Sequence, residues 1–71
     1  MGYKKDDKVV IISGKDTGRH ATVIEGFEDL FPGLYGDGAR LHFDDGAPTN
    51  YPTVEQTGAE RDYGAGMLRK A

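Results

Sequence analysis

Residues 4–24, KKDDKVVIISGKDTGRHATVI, decide how the chain folds. Lys8–Ile12 places Val9, Val10, Ile11 and Ile12 in a row. β-Branched side chains are stiff at χ1 and pack well on a pleated surface, so this run predicts a first strand. Side chains alternate across a strand, so Val9 and Ile11 share the face expected to meet the core. Ser13-Gly14-Lys15-Asp16-Thr17-Gly18 then reverses the chain. Gly14 and Gly18 tolerate positive φ, and Asp16 and Thr17 can bond nearby backbone to fix the reversal. His20–Phe27 follows as a second strand, in which Gly26 permits a bulge or bend.

The same grammar extends to the C-terminus. Glu28–Gly38 reads as a long loop carrying Leu30, Phe31, Leu34 and Tyr35. Ala39–Phe43 alternates, with Ala39, Leu41 and Phe43 inward and Arg40, His42 and Asp44 outward. Asp45-Gly46 is a turn. Thr49–Val54 is expected to be an irregular or edge strand, because Pro48 and Pro52 cannot donate to a ladder. Thr57-Gly58 turns again, Glu60–Tyr63 forms a short last strand, and residues 64–71 form a frayed tail. One all-β domain over residues 1–63, with a flexible C-terminal tail, is the expected organisation.

Composition narrows the function classes. Seventy-one residues make one domain with a thin core and no deep pocket. No cysteine is present for a disulfide or a thiolate metal site. The longest apolar run, Val9–Ile12, is far short of the ~18 residues of a membrane span. The start lacks the apolar core of a signal peptide, and a soluble cytoplasmic protein is expected. Net charge is −3, unevenly spread. Residues 1–20 set five basic side chains against three carboxylates, a balance of +2; residues 21–71 set four against nine, a balance of −5. A mildly basic edge on an acidic body can touch phosphate locally, with steep salt dependence.

The opening stretch resembles the KOW motif. Asp7 matches its acidic residue, Val9, Ile11 and Ile12 its strand, Gly14, Lys15 and Gly18 its turn, Arg19 its second basic residue, and Val23 the apolar position beyond. Asp6 and Ala21 stand where the family carries glycines. The stretch is similar to ribosomal large-subunit KOW proteins and to the C-terminal domain of NusG-type elongation factors. This resemblance implies a small five-stranded SH3-like barrel whose end loops bind RNA or a protein of the transcription or translation machinery. Leu41–Gly46 followed by Tyr51 also resembles the strand-and-turn pattern of Tudor-type barrels.

Catalytic signatures are weak. A Walker A loop would need glycine at Val9 and Ser or Thr at Asp16. His20 and His42 read as surface histidines, Asp44-Asp45-Gly46 as a hairpin turn, and Ser13, the only serine, lies in no nucleophile elbow. The expectation is therefore a monomeric, non-catalytic binding module with no cofactor, metal or small-molecule substrate. Lys15 and Arg19, with Lys4, Lys5 and Lys8 adding field, are the candidate contacts to RNA or DNA. Phe31, Leu34 and Tyr35 are the candidate protein-binding surface, or else complete the core. A small phage or mobile-element assembly protein is the alternative reading.

Overall fold

The structure, a computed structural model, describes residues 2–31, 36–51 and 58–71. Five strands form: β1 (Lys8–Ile11), β2 (His20–Phe31), β3 (Gly36–Phe43), β4 (Glu60–Gly64) and β5 (Leu68–Lys70). A single 3-10 turn, Ala65–Met67, precedes β5. All pairings are antiparallel and the sheet order is β4-β3-β2-β1-β5. The all-β expectation holds and five strands are present. β4 and β5 end the order without pairing to each other, so the sheet is open rather than the closed barrel implied by the resemblance.

The period-two reading places Val9 and Ile11 of β1 and Ala39, Leu41 and Phe43 of β3 on the buried face, as found. Val9 and Ile11 of β1, Ala21 and Val23 of β2, and Ala39, Leu41 and Phe43 of β3 are all buried, joined by Tyr63 and Leu68. Arg40, His42 and Asp44 are exposed, as the alternation requires. Gly14 and Gly18 adopt φ of +88° and +90°, and Gly46 closes the β3 turn at +73°.

Three elements differ from the sequence reading. β2 runs on to Phe31, paired to Gly36 of β3, where a loop was expected from Glu28. Its backbone ladder continues past two register shifts, whatever the polarity of the residues it passes. The expected strand at Thr49–Val54 is not a strand over Thr49–Tyr51, and its remainder lies outside the described residues. The expected tail is ordered. β5 pairs with β1 in the register Val9↔Lys70, Val10↔Arg69, Ile11↔Leu68. Bonds from Ile12 N to Met67 O (2.9 Å) and from Ala71 N to Lys8 O (3.0 Å) extend that pairing. β1 would otherwise carry a row of unpaired backbone groups, which a sheet edge is under pressure to cover.

Gly26 is required by packing. A Cβ there would overlap the carbonyl of Tyr3, whose segment crosses β2 at this point. The segment is tied down by Asp6 N to Val23 O and Val23 N to Asp7 O, both 2.8 Å. Backbone cannot retreat as a flexible side chain can. Gly26→Ala is therefore expected to cost about 1–3 kcal/mol. Urea unfolding measures the loss, and faster amide exchange at Asp6 and Val23 locates it.

Candidate functional site

One end of the sheet is organised by Asp16, the only buried charged residue described. The β1–β2 loop is closed by Gly18 N to Ile11 O (2.7 Å) and Ile11 N to Arg19 O (3.0 Å). Thr17 caps its interior, donating its hydroxyl to Gly14 O at 2.6 Å. This closure turns Asp16 inward, away from the local backbone it was expected to fix. Its Oδ1 accepts from Arg19 Nη1 (3.0 Å) and Asn50 N (2.9 Å). Its Oδ2 accepts from the hydroxyls of Thr49 (2.6 Å) and Tyr63. The loop after β3 and the strand β4 are thus fastened to the β1–β2 turn through one carboxylate.

Burial alone would raise the Asp16 carboxyl. The bonds from Thr49, Tyr63, Asn50 and Arg19 outweigh it and hold the group at about 2, against an ordinary 3.8. Tyr63 is shifted the opposite way: burial, then the adjacent carboxylate, push its phenol up. A carboxylate depressed by folding stabilises the fold above its unfolded pKa and stops doing so as pH falls through its folded one. The Asp16 contribution, about 2 kcal/mol from this shift, is therefore expected to be full above about pH 4 and lost towards pH 2. Urea midpoints across that window test this, and an acid dependence unchanged in Asp16→Asn would contradict it.

Arg19, read from sequence as a phosphate contact, is occupied within the fold. Nη1 donates to Asp16 and to Pro48 O (2.8 Å), and Nη2 to Asp45 Oδ1 and Ala47 O (both 2.8 Å). Its guanidinium lies 3.8 Å from the Phe43 ring centroid. The planar fork thus staples residues 45–48 onto the turn, and an incoming phosphate would have to displace these bonds.

The outer surface of this end is different. Tyr51 accepts from Lys15 N through its hydroxyl (3.0 Å) and sits where a Gly14 Cβ would be. The Lys15 ammonium lies 5.7 Å from the Tyr51 ring, and the Arg61 guanidinium 3.9 Å from it. Asn50 donates its amide to Lys15 O at 3.1 Å. Arg61 stands opposite Leu41 on the inward face of β4, two residues before Tyr63. Its Nε is buried without a hydrogen-bond partner.

The remaining basic candidates are not gathered here. Lys8 lies on the outer sheet face, donating to Thr22 at 2.7 Å with Asp44 at 4.0 Å. Lys4 lines a separate groove of about 360 Å³ with Gly2, Tyr3, Ala65 and Lys70, where Tyr3 crosses Gly26 of β2. Lys5 is exposed beside it in sequence. Phe31 contributes its backbone to the end of β2; its side chain, Leu34 and Tyr35 lie outside the described residues. Sequence reasoning missed Asn50, Tyr51 and Arg61. Strand parity could have found Arg61, since it shares the face of Tyr63 between the outward Glu60 and Asp62.

Among the described residues no group of three or more His, Cys, Asp or Glu is placed to hold a metal ion. No helix among them is long and apolar enough to cross a membrane. No protein-family model matches the chain, and neither a curated protein nor a solved structure is similar to it.

Proposed function

We propose that the chain is a non-catalytic binding module of the KOW-like, SH3-like class, contacting a protein component of the transcription or translation machinery. The observation that carries this reading is the construction of the Asp16 end. A buried carboxylate rigidifies two loops and a strand, while Lys15, Asn50 and Tyr51 are held at their outer side and Arg61 reaches the Tyr51 ring from the inward face of β4. Side chains fixed before a partner arrives lose less entropy on binding, and Tyr and Arg are the residues that dominate interface energies. The strand order, a meander of β2, β3 and β4 with β5 returning to β1, supports the SH3-like assignment. Asp6 also supports it: its φ of +74° is the conformation glycine adopts freely, at the position where the KOW pattern carries glycine.

The acidic body favours a protein contact over a nucleic-acid track. A photo-cross-linker replacing exposed Asn50 in cells, followed by mass spectrometry, tests the reading. Cross-linking to a ribosomal or polymerase component is the expected result; a capsid or assembly protein would favour the small structural-protein alternative. Titration with short RNA and DNA at low and high salt is expected to leave Lys15–Arg19 amides unshifted. Salt-sensitive shifts there would make nucleic acid the direct partner.

A further inference from the structure

We propose that the Lys15–Tyr51–Arg61 cluster is a receptor for a short acidic peptide segment, whose carboxylates it takes between the two cations. This rests on the binding-module reading and names the chemistry of the partner. The argument starts from Arg61. Its guanidinium lies 3.9 Å from the Tyr51 ring and 5.5 Å from the Tyr63 ring. Its Nε is buried without an acceptor, and among the described residues it forms neither a hydrogen bond nor an ion pair. Buried polar groups in native proteins are ordinarily paired, so an arginine fixed by ring contacts alone keeps its outer N–H fork for an acceptor from outside.

Lys15 is the second cation. It is exposed, with its ammonium near the same ring and no carboxylate bonded to it among the described residues. The contrast with the other cations at this sheet is plain. Arg19 is bound to Asp16 and Asp45, Arg40 to Asp62, and Lys70 to Asp7. Among the described residues, Lys15 and Arg61 flank one aromatic ring with no carboxylate bonded to either; Asp16, adjacent to Lys15 in sequence, is turned into the core, and Asp62, adjacent to Arg61, is bonded to Arg40. Two cations around a tyrosine, neither bonded to a carboxylate among the described residues, are complementary to carboxylates from a partner.

Surrounding charge chooses the class of anion. The outer sheet face carries Glu25, Asp44, Glu60 and Asp62, within a chain of net charge −3. A polyphosphate running across the domain would meet these repeatedly, whereas a peptide with two or three acidic residues can engage the cluster alone.

The test is a titration of isotope-labelled protein, followed by amide NMR, with acetylated hexaglutamate, hexalysine and a hexauridylate oligonucleotide as probes. Saturable, salt-sensitive shifts at Lys15, Asn50, Tyr51 and Arg61 with hexaglutamate alone are expected. Arg61→Gln is expected to weaken binding about tenfold. Lys15→Gln, at an exposed position, should weaken it several-fold with the thermal midpoint unchanged, which keeps the test independent of any folding defect in the arginine variant. No saturable shift at millimolar hexaglutamate overturns the proposal, as do shifts that survive both substitutions or map to the Lys4–Lys70 groove. Stronger binding of hexauridylate at the same residues overturns it too, while leaving a binding module in place. The module reading itself fails separately, if Asn50 cross-links to no component of the transcription or translation machinery.

Discussion

Asp16→Ala is expected to destabilise the domain by about 3–5 kcal/mol, the range for removing one partner of a buried ionic network. A chain of this length has roughly 4–10 kcal/mol in total, so the variant would keep at most a marginal fold. The size of the effect comes from what is left behind. Thr49, Tyr63, Arg19 and the Asn50 amide all donate to this carboxylate, and Tyr63 is itself buried. Each orphaned donor keeps its desolvation cost without its acceptor. Asp16→Asn retains shape and one acceptor oxygen but turns an amide NH₂ towards donors, and an intermediate loss of about 2–3 kcal/mol is expected. Tyr63→Phe removes only one of the four donors and should cost about 1.5–2 kcal/mol. Urea unfolding of the two single variants and the double variant closes a cycle. A coupling near zero, or an Asp16→Ala variant as stable as the parent, would show that the carboxylate does not organise this end.

What was legible in the sequence was local. Val9 and Ile11, then Ala39, Leu41 and Phe43, gave the buried face, because a period of two needs only neighbours to be read. Gly14, Gly18 and Gly46 gave turns for the same reason. The Asp16 network was not legible, since three of its four donors lie 33, 34 and 47 residues away and an Asp beside Thr and Gly already makes sense as a turn residue. β5 was hidden because Leu68 is the only apolar residue within it, and Gly64 and Gly66 precede it. What orders it is the unpaired edge of β1, a requirement that exists only once the sheet has formed. Arg19 was recognised as important, but its acceptors within the fold were not legible: sequence shows a cation on a turn, whereas the backbone of residues 47–48 and Asp45 meet it only in three dimensions.

Phe43→Ala carries the second largest expected loss, about 3–5 kcal/mol, and separates packing from charge at the same site. Phe43 is the largest of the fully buried side chains described. Its ring also supports the Arg19 guanidinium at 3.8 Å. Two effects are therefore lost at once, and their magnitudes differ. A cation over an aromatic face contributes about 0.5–2 kcal/mol. The cavity and transfer terms for a buried Phe account for the rest, so packing dominates. Phe43→Leu isolates the smaller effect, since it fills most of the volume without offering a π face, and a loss of about 1–2 kcal/mol is expected. The two variants also predict different local behaviour. In Phe43→Leu, Arg19 keeps its bonds to Asp16, Asp45, Ala47 and Pro48, so its guanidinium proton signals should remain slow to exchange. In Phe43→Ala the floor beneath Arg19 is gone, and exchange there should quicken together with that of the Asn50 amide, which shares the Asp16 carboxylate. Equal losses in the two variants would mean that the stacked arginine, and not the filled core, holds the 45–51 segment against the β1–β2 turn.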